Sequence, residues 1–216
     1  MKGWIFANYG GPEVLEWADL PDPVAGKGGI VVRVVAAALN PLDWKLRSGQ
    51  FRLMTAGRLP RGVGYDYAGV VESAGEDVTR LKPGQAVVGI VNPMKSRHGA
   101  MAERVCATEA LAAEKPASLS FADGASLPGA GVTAVQALRD ARLAAGRRVL
   151  VVGAAGGVGS FAVQLAKEAV LAGMEAPLSS ALALEVKSLQ ILFSSQDQKE
   201  GMRAFVEKRP ARWTGT

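Results

Sequence analysis

The spacing of hydrophobic and polar positions changes character along this chain. Up to about Glu114, apolar residues fall in short runs separated by glycine and proline turns. Lys2–Phe6 and Val14–Trp17 read as two short strands joined through Gly10-Gly11-Pro12. Ile30–Ala38, IVVRVVAAA, reads as a longer β-branched strand. Asn40-Pro41 then opens a short helix, with proline in its first turn, and Gly49 ends it. Val63–Val71, punctuated by Gly64 and Gly69, is a further strand. Lys82-Pro83-Gly84 is a tight turn into the valine-rich strand Gln85–Val91, and Gly99–Ala107 follows. Short strands divided by Gly/Pro turns predict a compact, barrel-like β domain.

After Lys115 the period lengthens. Phe121–Leu127 and Val132–Ala144 read as helices, and Arg148–Val152 as a strand. A helix runs from Gly157 to about Ala172, with Gly173 where a helix-ending glycine belongs. Pro177–Phe193 is a further helix, with Leu178, Leu182, Val186, Leu189 and Phe193 along one stripe. Ser195 caps a last helix carrying Met202, Phe205 and Val206, and Arg209-Pro210 ends it.

The stretch VLVVGAAGGVG, Val149–Gly159, carries the most specific chemistry. An apolar run ends in Gly153, Gly156 and Gly159, with Gly157 as an extra glycine, and a helix opens at once. Glycines let the backbone turn tightly and approach a pyrophosphate. The helix start adds unpaired N–H groups and the positive end of its dipole. A simple tight strand-to-helix turn is the alternative. Nucleotide domains place a ribose-reading residue about 20 residues further on. The acid at that distance is Glu175, which follows a helix rather than a strand and reads as a solvated residue. A ribose reader is therefore not expected. A parallel strand at Val149–Val152 needs neighbours on both sides. The region 128–216 is accordingly expected to be a loosely packed helical cap with exposed apolar surface and a tendency to self-associate.

Composition narrows the classes. Hydrophobic residues make up 49% and charged residues 21%, a globular balance. The net charge of +5 comes from scattered arginines and lysines without interleaved aromatics, which suits solvated faces and not a nucleic-acid surface. Cys106 and His98 are the single cysteine and histidine, so an intramolecular disulfide is excluded and a closed Cys/His zinc site is not expected. His98 reads as an exposed loop residue and Cys106 as a small buried hydrophobe. The first residues lack a signal peptide's apolar region, and no run of about 18 apolar residues is present. A cytoplasmic protein without a membrane span is the expectation.

Six segments in order carry a family resemblance. They are ALNPLDWKLRSG (38–49), GYDYAGVVESAG (64–75), LKPGQAVVGI (81–90), GAMAERV (99–105), PGAGVTAVQAL (128–138) and RVLVVGAAGGVGSFAVQLAK (148–167). Together they resemble the zinc-independent, quinone-oxidoreductase-like branch of the medium-chain dehydrogenase/reductase superfamily, over about residues 1–167. The resemblance implies an α/β fold, with a GroES-like β-barrel catalytic domain (1–127) followed by a partial Rossmann unit (128–167) made of strand, loop and helix. It implies NADPH, with NADH the alternative, and hydride transfer to a quinone, enone or related carbonyl compound. Asn40 stands where zinc-dependent relatives place a cysteine ligand, and Tyr65 where they place a histidine, so no metal is implied. By the same resemblance Asn40 lies near the nicotinamide and Thr133 near the cofactor. Gly153, Gly156, Gly157, Val158 and Gly159 serve the pyrophosphate. Tyr65 lines the substrate pocket or belongs to the barrel core. Asp43 and Lys45 read as a local pair on a helix surface. Catalysis in this branch depends on positioning and polarising the acceptor, and no general acid is assigned.

Beyond Lys167 the resemblance changes. LAKEAVLAGMEAPLSSALALE (165–185) and FSSQDQKEGMRAFVEKRPARWTG (193–215) are similar to the C-terminal end of the enoyl-CoA hydratase (crotonase) family. This implies a short all-α tail (168–216), in which Phe205 and Lys208 match positions near the CoA of a neighbouring subunit. That family's catalytic glutamates lie far upstream of this segment, so Glu200 and Glu207 read as helix-surface charges. The whole reads as a chimera, with a reductase whose nucleotide domain is truncated and whose activity is impaired. A non-catalytic CoA-linked or oligomerising module, and an inactive fusion, are the alternatives.

Overall fold

The computed structural model describes residues 1–55, 57–92, 94, 96–142, 149–172, 207, 209–210 and 212. It divides into two compact units, Met1–Gly129 and Ala130–Thr216.

The first unit holds β1 (Lys2–Phe6), β2 (Leu15–Asp19), β3 (Gly29–Ala38), α1 (Pro41–Arg47), β4 (Arg61–Gly62), β5 (Asp66–Ala74), β6 (Ala86–Ile90), β7 (Arg104–Thr108) and β8 (Ala112–Glu114). They form a small sheet in the order β2-β1-β4 and a five-stranded sheet in the order β7-β3-β5-β6-β8. Every pairing is antiparallel. The barrel expectation is corrected here: among the described residues the sheet does not close. Its edges, β7 and the three-residue β8, do not pair with each other. A single isolated bridge, Gly3 to Ala102, joins the chain of the small sheet to the segment before β7. The pairing of β3 with β5 shifts register between Val31 and Val32 and between Val34 and Ala36, as a bulge does.

The β-branched pattern reaches its goal in the core. Ile30, Val32, Tyr67, Val71, Val87 and Val105 are fully buried together. Some segments expected as strand are not. Val14 sits in a 3-10 turn, Pro12–Val14. Val63–Tyr65 and Gly99–Glu103 run beside each other as loops that satisfy their backbone groups mutually, Met101 N–H donating to Val63 O at 2.8 Å. β8 carries too short and too small a sequence, Ala-Ala-Glu, to show a strand period.

Helix α2 (Phe121–Asp140) begins in the first unit and continues into the second. The two helices expected at Phe121–Leu127 and Val132–Ala144 are thus one element, with Pro128 inside it. A proline removes one backbone donor and crowds the turn before it. The helix continues through that defect, and the next N–H, on Gly129, reaches a carboxylate outside the helix. In the second unit, α3 (Gly157–Ala172) has the expected bounds. The strand expected at Arg148–Val152 is not formed over its described part, 149–152. Leu150 and Val152 are 88% and 87% exposed. No other strand is described in that unit, and one strand without a ladder partner gains no hydrogen bonds. Gly173, Glu175, Glu200, Phe205, Lys208 and the helices expected from Pro177 and Ser195 lie outside the described residues. Glu207 is exposed and pairs with Arg209 at 2.6 Å, as a surface charge does.

Tyr67 offers a direct test of the core. Its ring is fully buried, its hydroxyl has no partner among the described residues, and burial pushes its pKa up, against ionisation. Tyr67→Phe is expected to leave stability unchanged or raise it by about 1 kcal/mol in urea unfolding, because an unsatisfied polar group is removed. Gly89→Ala is expected to cost about 1–3 kcal/mol, since its Cβ would meet the Tyr67 hydroxyl and lie 2.7 Å from Leu111 O.

Candidate functional site

In the first unit the site is built where α1 starts. Asn40 is extended, with φ −123° and ψ 162°, and Pro41 follows in the first helical position. Asn40 and Asp43 form a capping box, and the Asn40 N–H donates to Asp43 Oδ2 at 2.6 Å. Asp43 Oδ1 accepts the Gly64 N–H at 3.0 Å. Asp43 is only 6% exposed, so the expected surface pair with Lys45 is corrected. Its third position in the helix turns it back onto the cap and the loop before β5. Burial pushes its carboxyl up from the ordinary range, while hydrogen bonds from Asn40, Gly64 and its own backbone pull it back.

Asp66, the first residue of β5, was not singled out from the sequence. It is 1% exposed. Its Oδ2 accepts Asn40 Nδ2 at 2.9 Å and Gly129 N–H at 2.9 Å. Its Oδ1 has no hydrogen-bond partner among the described residues. Desolvation pushes its pKa up to about 6, the two hydrogen bonds oppose this, and the nearby Asp43 charge adds to it. A signal was present: one acid stands within GVGYDYAGVV, a stretch otherwise without charge. Buried acids are rare unless they hold donors.

Asn40, Asp43, Trp4, Leu39, Trp44 and Met101 are among the residues lining a cleft of about 380 Å³ in this unit. Tyr65 is not among them. It is 3% exposed and packs in the core with Leu46, Val91 and Ala100, its hydroxyl 3.4 Å from Gly62 O. Burial pushes its pKa up and so disfavours the phenolate, and Arg61 beside it works in the opposite direction. Of the two readings of Tyr65, its burial fits the core position.

The second unit carries the glycine turn. Gly153 has φ +76°, which L side chains rarely adopt. Its carbonyl accepts the Gly156 N–H at 2.9 Å and closes the turn. Gly159 passes so near that a Cβ there would meet the Gly153 carbonyl and lie 2.8 Å from Ala154 Cα. The helix begins at Gly157, and Ser160 N–H donates to Gly156 O at 2.8 Å, closing its first turn. Gly156, Gly157 and Val158 are exposed. The N–H groups of a first helical turn have no acceptor within the helix. Exposed glycines and free helix-start donors fit an anionic diphosphate. Thr133 is an exposed residue of α2 in this same unit.

Among the described residues, no group of three His, Cys, Asp or Glu side chains is placed to hold a metal ion. His98 is exposed. Cys106 is half-buried, its thiol 3.6 Å from Val24 O, and burial pushes the thiol pKa up, against the thiolate. No described helix is long and apolar enough to cross a membrane.

Comparison with known proteins agrees with this geometry. Residues 26–117 match the alcohol dehydrogenase GroES-like domain. The 2-methylene-furan-3-one reductase of Solanum lycopersicum is 39% identical over 214 residues, covering 96% of this chain and 55% of the relative. The NADPH-dependent alkenal/one oxidoreductase of Arabidopsis thaliana, a chloroplast protein, is 38% identical with the same coverage. The solved quinone oxidoreductase of Coxiella burnetii superposes with a TM-score of 0.73 at 41% identity, over 79% of this chain and 54% of that one. By these matches the chain resembles quinone-oxidoreductase-like members of the medium-chain dehydrogenases/reductases. It spans about half the length of the curated relatives it matches. Residues 156–216 also match enoyl-CoA hydratase/isomerase. That match and the 96% coverage by the tomato reductase overlap, so a join between the two families has weak support.

The buried carboxylates of this quinone-oxidoreductase-like unit make stability depend on pH. A raised native pKa means that the folded state holds the proton more tightly than the unfolded chain. The contribution is full below the ordinary value of 3.8 and is lost as pH rises to about 6 and above. Asp66→Asn is expected to be more stable than wild type at pH 8, by no more than about 3 kcal/mol. The advantage should vanish near pH 4, as measured by urea unfolding across that range.

Proposed function

We propose that this chain is the GroES-like unit and glycine turn of an NADPH-dependent reductase of quinones, enones or related carbonyl compounds. The glycine turn at the start of α3 carries the reading, because Gly153 and Gly159 meet two separate backbone demands of a diphosphate loop. The names of the relatives, an alkenal/one oxidoreductase using NADPH and a furanone reductase, support the cofactor and the acceptor class.

In this reading the N–H groups of Gly157 and Val158, with Gly156 beside them, hold the pyrophosphate, and Thr133 lies along the cofactor. When bound, NADPH supplies a hydride, and the acceptor takes up that hydride and one proton. Asn40 stands at the acceptor end. The aromatic and aliphatic walls of its cleft, Trp4, Leu39, Trp44 and Met101, fit a flat apolar acceptor and limit water around it. The three-part division, 1–127, 128–167 and 168–216, belongs to this proposal.

One finding favours a second reading, the hydratase match over 156–216. In it the tail is a crotonase-like helical segment that associates with a second copy or with CoA, through Phe205 and Lys208. Exposed Leu150 and Val152 give self-association an apolar surface.

Titration of the purified chain with NADPH by calorimetry distinguishes these. The reductase reading predicts a micromolar Kd, about −8 kcal/mol, weakened at least roughly tenfold, or about 1.4 kcal/mol, in Gly159→Val. Binding of coenzyme A but not of NADPH, or no NADPH binding up to millimolar cofactor, contradicts it.

A further inference from the structure

Asp66 takes two donors on a single oxygen, the Asn40 Nδ2 and the Gly129 N–H, each at 2.9 Å. An ionised carboxylate only accepts. The end of the Asn40 amide that faces it is therefore the NH2. Turning the amide over would set a carbonyl oxygen against a carboxylate oxygen in a buried place, which is costly. The other side is equally constrained. A Cβ on Gly129 would lie 2.5 Å from Asp66 Oδ2, so the backbone of α2 rests directly on the carboxylate. The carboxylate cannot shift without losing one donor or striking the helix.

We propose that Asp66 is a positioning residue, whose buried carboxylate, anchored on the Gly129 N–H, holds the side-chain amide of Asn40 in one orientation at the wall of the apolar cleft. The proposal rests on the reading of Asn40 as a residue beside the reacting acceptor. The fixed amide keeps one set of polar atoms toward the cleft, and the negative charge behind it polarises them. That would be the role of a charge kept at some cost to stability.

Protonation of Asp66 loosens this hold, because a carboxylic acid accepts less strongly and can itself donate to the amide oxygen, and the helix-cap contact of Asn40 with the Asp43 backbone is then the remaining restraint on the amide. The groups around Asp66 leave few other titrations to confuse this. On α1, Asp43 is the charge that acts on it. Its register partners on β3 and β6 are Ala38 and Ile90. From α2 it receives a backbone N–H.

The test uses the full chain, 15N-labelled, as wild type, Asp66→Asn and Asp66→Ala, followed from pH 5 to pH 8 through the Asn40 side-chain NH2 signals. Steady-state reduction of a simple quinone by NADPH is measured on the same samples. At pH 8 the wild type is expected to show one downfield, slowly exchanging Asn40 amide proton, which weakens as pH falls through about 6. Asp66→Ala should lose that signal at every pH. It should lower kcat by roughly 100-fold, with a much smaller change in KM. Asp66→Asn keeps an oxygen for both donors but not the charge, so it should retain the signal without its pH dependence and give a kcat between those of Asp66→Ala and wild type. An Asn40 signal indifferent to both substitutions overturns the proposal. So does a kcat that follows overall stability instead of the amide signal. If Asp66→Ala does not fold, the pH dependence in wild type and its absence in Asp66→Asn decide the matter. A wild type without turnover refutes the reductase reading alone, and the amide signal still decides the positioning.

Discussion

The first unit is organised around one buried carboxylate. Asp66 begins β5, ties the cap of α1 through Asn40, and receives a backbone donor from α2 at Gly129. Three elements distant in sequence meet at one carboxylate oxygen. An acid enclosed this deeply resists ionisation, and two hydrogen bonds offset only part of that cost. The stability it lacks comes from the sheet, where β3 and β5 pair and Ile30, Val32, Val71, Val87 and Val105 are excluded from water. Asp43 repeats the arrangement nearby, holding the Asn40 and Gly64 backbone N–H groups. The apolar cleft is therefore bordered by a cap whose polar groups are fixed from behind.

Features set by local geometry were legible in the sequence. β1, β3, α1 and α3 follow from β-branched runs, from Asn-Pro at a helix start and from glycines at its end. The turn at Gly153–Gly159 is of the same kind, since a left-handed glycine and a close backbone approach are demands within seven residues. Features set by partners were not. Whether a sheet closes depends on its edge strands, and the sequence gives no sign of where β7 or the short β8 will end. Val149–Val152 has the composition of a strand but no described ladder to join. The helix expected to end at Leu127 continues through Pro128, and the donor beside that proline is used by Asp66. Asp43 looked like one half of a surface pair because spacing cannot report burial. Tyr65 was left between pocket and core for the same reason.

The first unit holds an apolar cleft walled by Trp4, Leu39, Trp44 and Met101, and the second holds a glycine turn that closes through the Gly153 carbonyl and the Gly156 N–H. Relatives that share 38–39% identity are about twice as long as the matched region, so this chain carries only part of what they carry. The hydratase match over the last residues adds a second ancestry to weigh, without touching the first unit.

Amide hydrogen exchange, measured on the full chain with and without saturating NADPH, tests the central claim most directly. A diphosphate held by the helix start predicts marked slowing at Gly157, Val158 and Gly159, at the first turn of α3, with little change in the core strands β3 and β5. Unchanged exchange at those three residues, at a cofactor concentration that saturates the chain by calorimetry, would contradict the assignment of the glycine turn to the nucleotide.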